Sequence, residues 1–171
     1  MAMDDKTLNE IVKAVTESMS SPFATKRCAS YEKTNITLCA AKSVAKAVEE
    51  EAKKIGVKAV VAVSNAGGNP VLVHCTDDSF IASFDVALNK SFTSVALKMP
   101  TSTLKNLTQP NMSLYGIQFT NQGKLVIFGG GDPLITPDGE IIGGLGVSGG
   151  NEEQDTYLSD FGAKFFKENY R

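Results

Sequence analysis

Several chemical groups are scarce in this chain of 171 residues. It has no tryptophan and a single histidine, His74, and its three cysteines, Cys28, Cys39 and Cys75, lie far apart. Without a C-x-x-C pair, a zinc site built from thiolates is not expected, and we predict reduced thiols, with Cys39 buried on an apolar helical pattern. A Ser-His-Asp triad could use only His74, and no nucleophile-elbow motif is present. The residues therefore assemble no catalytic centre.

The chain also lacks an excess of basic charge and long apolar runs. Its net charge is −2 and its pI about 5.5, which argues against nucleic acid as a partner. No apolar stretch approaches the roughly 20 residues that span a bilayer, and the acidic N-terminus lacks the pattern of a signal peptide. We therefore expect a cytoplasmic protein with no membrane partner.

The length predicts one domain spanning 1–171, with an N-terminal helix and connector over 1–33 and a core over 34–171. The apolar periodicity predicts alternating helices and strands. Helices are expected over 4–19, from Thr34 or Asn35 to Ile55, over 79–99, over 101–107 and from 151 towards 166. Strands are expected over 57–64, 71–76, 115–120, 124–128, 133–136 and 140–147. In the helix over 79–99, the apolar ladder predicts the buried face; its members are Ile81, Phe84, Leu88, Phe92, Val95 and Met99. Short links between strands favour an antiparallel sheet covered by helices.

Most of the fifteen glycines fall between Gly129 and Asp155. Within this stretch Gly144 to Gly149 matches G-x-G-x-x-G, the dinucleotide fingerprint. However, only one helix fits after it, and acidic residues occupy the first turn of that helix, so a structural role is favoured. The run Gly129-Gly130-Gly131-Asp132 is either a permissive turn or a place where backbone approaches a flat ligand.

A series of motifs in a fixed order is similar to one known family. The motifs are Gly67-Gly68, Ser83-x-Asp85-x-Ala87-x-x-Lys90, Pro100-Thr101-Ser102, Leu114-Tyr115-Gly116, Gly129-Gly130-Gly131-x-Pro133, Gly146-Val147-Ser148-Gly149-Gly150 and Glu153-Gln154-Asp155. Over about 36–166 the chain resembles the GlcG/HbpS-like haem-binding family, also called haem-degrading, with particular likeness to the C-terminal domain of the propanediol-utilisation protein PduO. The resemblance implies an α/β (α+β) fold of profilin-like, three-layer α/β/α type with a five-stranded antiparallel sheet. It also implies homo-oligomers of dimers, commonly octamers, and a haem or corrinoid-related cofactor near subunit interfaces.

A haem site needs an apolar slot, an axial ligand and cations for the propionates. His74 is the candidate axial ligand, but an exposed or hydrogen-bonded strand histidine is the simpler interpretation of a single histidine without a partner motif. Lys90, on the side of its helix opposite the apolar ladder, could pair with a propionate or be an idle surface lysine. Thr101 matches a segment linked to haem contacts in the family, or it simply caps a helix. Tyr115 is either an oxygen ligand or a packing residue. The last candidates form the loop Gly129, Gly130, Gly131 and Asp132.

Three functions follow from these expectations. The first is a tetrapyrrole-binding accessory or sensor protein linked to diol and cobalamin metabolism, in the cytoplasm or in a bacterial microcompartment with microcompartment proteins as partners. The second is an enzyme that degrades haem or acts on a small metabolite. The third is an oligomeric assembly module without a ligand.

Overall fold

A computed structural model describes residues 31–32 and 35–169, with the backbone alone for 31–32. The helix predicted over 4–19 and the connector that follows it lie outside the described residues. Within the described part, none of the helices combines the length and apolar character needed to cross a membrane.

Helices and strands alternate along the chain. The strands are β1 (Tyr31–Glu32), β2 (Asn35–Ile36), β3 (Val60–Asn65), β4 (Pro70–Cys75), β5 (Gly131–Ile135) and β6 (Ile141–Ser148). The helices are α1 (Leu38–Lys54), α2 (Ser83–Ala96), α3 (Thr101–Leu107) and α4 (Glu152–Asn169), and two 3₁₀ turns lie at Ile117–Phe119 and Asn121–Gly123. The elements predicted from periodicity are largely present, with shorter bounds for α2.

The first described helix begins later than its predicted cap. Thr37 is the N-cap of α1, and its Oγ1 accepts a hydrogen bond of 3.2 Å from the Ala40 N–H. Asn35 instead belongs to β2. Cys39 is exposed and disulfide-bonded, so the prediction of a buried, reduced thiol at this position is wrong.

The main sheet has four antiparallel strands in the order β4-β3-β6-β5. The described residues thus do not show the five-stranded sheet that the resemblance implies, and β1 and β2 form a separate two-stranded ribbon. Two predicted strands are absent: 115–120 contains a 3₁₀ turn, and 124–128 is irregular. The latter segment runs beside α2, where the Val126 N–H donates to Thr93 Oγ1 at 3.0 Å instead of to a neighbouring strand.

Helices cover both faces of this sheet. Because side chains alternate along a strand, Val61 and Val63 of β3 face one core, whereas Val60 and Ala62 face the other. The first core also contains α1 and α4 residues such as Val44 and Leu158, and the second contains Ala87 of α2. The result is a three-layer α/β/α arrangement.

Helix α2 buries only part of the predicted face: Val95 is buried and Leu88 packs against the second core, whereas the start of the ladder is exposed. Its apolar ladder begins with Ile81, which is 95% exposed, and Phe84, which is 44% exposed. The side against the sheet carries small residues: Ser83, Ala87, Ser91 and Ser94. They meet glycines of β6, and a Cβ added at Gly144 would lie 2.6 Å from Ser94 Oγ. The absence of side chains on both surfaces lets the helix backbone approach the sheet closely.

Candidate functional site

The predicted site residues lie at both edges of the sheet. His74 is on the edge strand β4, whereas Gly131 and Asp132 are on the opposite edge strand β5. Lys90 and Thr101 gather around the glycine loop at the β5 edge. Tyr115 stands apart in the loop after α3 and is 67% exposed.

Lys90 is fully buried, contrary to the expectation of a surface lysine. Its Nζ donates to Asp155 Oδ2 at 2.7 Å and to the Val147 carbonyl at 2.9 Å, and it lies 4.8 Å from the centre of the Phe128 ring. Burial lowers the pKa of Lys90, and the neighbouring Asp155 carboxylate opposes that shift. The lysine is on the side of α2 opposite the ladder, as predicted, but that side faces the sheet.

Asp155 joins this ion pair to the start of α4. While its Oδ2 accepts from Lys90, its Oδ1 accepts a 2.9 Å hydrogen bond from the Gly150 N–H. Asn151 and Gln154 complete the turn, since each side-chain oxygen accepts from the other residue's N–H. These N–H groups therefore already have partners within the chain, which supports the structural interpretation of the G-x-G-x-x-G match.

The glycine loop is closely packed by surrounding side chains. The Gly129 N–H donates to Glu152 Oε1 at 3.0 Å, and the Gly131 N–H donates to Thr101 Oγ1 at 2.9 Å. Glu152 also accepts from Lys105 Nζ at 2.6 Å, and this hydrogen bond, followed by the one from Gly129, lowers the pKa of its carboxyl. The loop over Gly129–Gly131 is therefore a packed junction between α2, α3, β6 and α4.

Asp132 points towards α4 and away from this junction's ion pair. Its Oδ2 accepts a 2.5 Å hydrogen bond from Ser159 Oγ. Burial raises the pKa of Asp132, and the Ser159 hydrogen bond partly opposes the shift. The half-buried carboxylate is thus held by one hydroxyl group.

His74 has the setting of a potential metal ligand. Its side chain is 39% exposed, and its Nδ1 lies 2.5 Å from Glu49 Oε1 on α1. A carboxylate on one ring nitrogen fixes the orientation of an imidazole and makes the other nitrogen a better ligand. Nε2 is therefore the atom of His74 suited to bind a metal.

An open groove borders His74 at the β4 edge. One part, of about 460 Å³, is lined by Glu49, Val73, His74, Cys75, Thr76 and Asp77. An adjoining part, of about 520 Å³, shares Glu49, Thr76 and Asp77 with the first and adds Glu50, Lys53, Gly56, Val57 and Lys58. The adjoining part is lined mainly by carbon atoms. The groove combines an imidazole, an apolar wall and two lysines.

Sequence reasoning did not identify Glu49, Glu152 or Asp155 as partners of the candidate residues. Glu49 was visible only as part of an acidic run on a helix, since its contact with His74 spans 25 residues of sequence. The pairing of Lys90 with Asp155 spans 65 residues. A usable signal did exist for Lys90: it lies beside the small residues Ala87, Ser91 and Ser94, which share one helical face.

The sheet, its two helical layers and the glycine-rich β6 define a class of small α/β/α domain. Residues 36–164 match the family described as "Haem degrading protein HbpS-like". The chain belongs to this HbpS-like family, which confirms the resemblance seen in the motifs.

Two curated relatives match this chain over different shares of their own length. The chain is 47% identical over 133 residues to an uncharacterized 15.0 kDa protein in the dhaT-dhaS intergenic region of Citrobacter freundii, a match that covers 78% of this chain and 93% of the relative. It is 41% identical over 110 residues to the corrinoid adenosyltransferase PduO of Salmonella typhimurium, which covers 64% of this chain and 32% of PduO. The chain thus matches about a third of PduO.

A solved structure supports the fold. The crystal structure of the PduOC:heme complex superposes with a TM-score of 0.72 at 34% sequence identity, covering 77% of this chain and 94% of that one. That relative was crystallised with haem. The same α/β/α framework therefore occurs in a haem complex.

Proposed function

We propose that this protein binds haem in the groove beside His74, with Nε2 of His74 as an axial ligand to the iron. The carrying observation is the contact of 2.5 Å between His74 Nδ1 and Glu49 Oε1, which leaves Nε2 on a partly exposed ring. Membership of the HbpS-like family and similarity to the PduOC:heme complex support haem as the ligand.

The residues at the groove fit the requirements of a haem. The adjoining part of the groove is lined mainly by carbon atoms, which offer apolar surface for the macrocycle, and Lys53 and Lys58 supply cations at the same place for the propionates. Lys58 already pairs with Asp78 at 2.7 Å, but both side chains are exposed, so this ion pair can rearrange at little energetic cost. When bound, haem would supply a redox-active iron, and His74 would hold it.

The packed junction around the glycine loop, at the β5 edge of the sheet, stabilises the fold and does not bind the ligand. Lys90 is fully buried, and Thr101 and the glycines are hydrogen-bonded to neighbouring elements. A propionate could reach Lys90 only by displacing Asp155. We therefore assign haem binding to His74 and assign Lys90, Thr101 and the loop from Gly129 to Asp132 to maintaining the structure.

The biological role we propose is that of a haem-binding accessory or sensor protein in diol and cobalamin metabolism. Similarity to PduO supports this setting. A location in a microcompartment and a homo-octamer built from dimers belong to the same proposal, and a corrinoid is the alternative ligand. Because the match covers 32% of PduO, adenosyltransferase activity is not part of it.

A haemin titration that follows the Soret band tests the proposed site. Saturation at a fixed stoichiometry is expected for the unmodified chain, whereas His74→Ala should bind weakly and lose the spectrum of a histidine-ligated iron. Glu49→Gln should weaken binding by about 10- to 100-fold, because the carboxylate orients the ligand. Tyr115→Phe is the matched control and should bind like the unmodified chain.

Each other result has a definite meaning. Loss of binding in Tyr115→Phe alone would move the ligand to that loop. A linear rise without saturation would refute haem binding. Cobalamin, titrated in parallel, should show no saturable binding if haem is the ligand and should saturate if the ligand is a corrinoid.

A further inference from the structure

The outer face of α2 and the turn before it expose several large apolar side chains. We call this surface the α2 outer face; it consists of Phe80, Ile81, Phe84, Leu88 and Phe92. Phe80 is 71%, Ile81 95% and Phe84 44% exposed, while Leu88 and Phe92 are half-buried. These positions follow helical spacing, so they form one stripe along the helix.

The size of this stripe calls for a partner. Taking about 200 Å² for each large side chain, Phe80, Ile81 and Phe84 expose roughly 400 Å² between them. This is about half of the ~800 Å² that each partner contributes to a standard protein interface. The opposite side of the helix packs against β6, and Leu88 reaches the edge of the second core, so Phe80, Ile81 and Phe84 are the exposed part of the stripe.

The charges at the ends of the stripe indicate the partner. Asp85 is exposed beside Phe84 at the start of α2. Lys124 is exposed at the other end, with its Nζ 5.9 Å from the centre of the Phe92 ring. Phe84 and Phe92 are eight residues apart, or about 12 Å along the helix. A stripe with an acid at one end and a base at the other complements itself when two copies lie antiparallel.

We propose that the α2 outer face binds the same face of a second copy of this chain. A twofold axis passes near Leu88, with the two α2 helices antiparallel. Phe84 then packs against Phe92 of the partner subunit, and Asp85 lies near Lys124 of the partner subunit. The proposal rests on the proposed homo-oligomer and is independent of haem.

The molar mass of the full-length, haem-free chain, measured by light scattering over a dilution series, tests the face. Phe84→Glu would place a charge in the interface and should weaken association at least about 30-fold, as expected for a central interface residue. Leu38→Glu, an equally exposed apolar residue in the opposite helical layer, should leave this association step unchanged.

A charge exchange tests the antiparallel arrangement. Asp85→Lys alone and Lys124→Asp alone should each weaken association by up to about fivefold, because each puts like charges together at the rim. The double variant should recover the affinity of the unmodified chain. This comparison uses exposed positions, so it remains decisive if circular dichroism shows that Phe84→Glu does not fold.

Two results overturn the proposal. A monomer at every concentration would refute both the homo-oligomer and this face, without affecting the haem titration. An oligomer that tolerates Phe84→Glu, or a charge exchange that does not restore association, would refute this face alone. In that case a haemin titration of Phe84→Glu would show whether the stripe contacts the ligand instead.

Discussion

Breaking the buried Lys90–Asp155 ion pair should strongly destabilise the protein. The side chains are 0% and 5% exposed, with the charged atoms 2.7 Å apart. Removing one member leaves the other as an uncompensated charge in the interior, which costs about 3–5 kcal/mol. We expect this loss for Lys90→Met, which preserves the side-chain length and removes the charge.

Asp155→Ala should cost about 1 kcal/mol more than Lys90→Met, because it also removes the acceptor of the Gly150 N–H. Asp155→Asn is the control for that hydrogen bond, since its amide oxygen can still accept. The double variant Lys90→Met/Asp155→Ala removes both charges. It should therefore be more stable than the sum of the single losses predicts, by about 2 kcal/mol.

The pH dependence provides a second readout for Asp155→Ala. Burial already lowers the pKa of Lys90, and losing the carboxylate lowers it further. The unfolded chain then binds more protons than the folded chain between that lowered pKa and the ordinary value of 10.5. The stability of the variant should accordingly rise with pH through this window.

Urea unfolding at a fixed protein concentration measures these effects. Single losses below about 1 kcal/mol would contradict a buried pair of this kind, because exposed ion pairs have that magnitude. Strictly additive losses in the double variant would show that the two charges do not interact.

Three further substitutions and one control, Gly139→Ala, test the β5 edge by thermal or urea unfolding. Gly130→Ala should cost more than about 2 kcal/mol of stability, because φ is +111° and an added Cβ would lie 2.8 Å from a backbone oxygen. Gly139→Ala, with φ +87° and open space around it, should cost only its backbone strain of about 1 kcal/mol. Equal losses would show that packing around Gly130 does not matter. Asp132→Asn should be more stable than the unmodified chain at neutral pH, since burial raises the pKa of Asp132 and penalises its charged form. This advantage in stability should vanish as the pH falls through the raised pKa towards 3.8. A difference in stability that stays constant with pH would contradict a buried charge at Asp132. Thr101→Val should cost about 1–3 kcal/mol by leaving the buried Gly131 N–H without an acceptor, so a neutral effect would exclude that hydrogen bond as important.

The sequence predicted the main helices and the β3–β4 and β5–β6 hairpins because their patterns are local. Val60–Asn65 is a continuous apolar strand, and the turn at 65–70 has glycine, asparagine and proline where a hairpin needs them. The strands predicted over 115–120 and 124–128 are both wrong: 115–120 closes local hydrogen bonds in a 3₁₀ turn, and 124–128 fails for a tertiary reason. Segment 124–128 bonds to a side chain of α2, which apolar alternation does not reveal.

The buried face of α2 could not be read from hydrophobicity alone. The pattern identifies the most apolar stripe, but the glycines of β6 accept only small residues, so Ala87 and Ser91 face the sheet. Lys90 is buried with them because Asp155 lies opposite. The partners of candidate residues depend on long-range contacts, which explains why His74 was identified and Glu49 was not.

Imidazole rescue of His74→Gly shows whether His74 ligates the haem iron. Haemin is added to this variant, and its Soret and visible spectra are compared with those of the unmodified protein, with and without free imidazole. If His74 ligates the iron, the variant loses the histidine-ligated spectrum and imidazole restores it. A variant that shows the unmodified spectrum without imidazole would contradict His74 as the ligand and place the iron elsewhere on this fold.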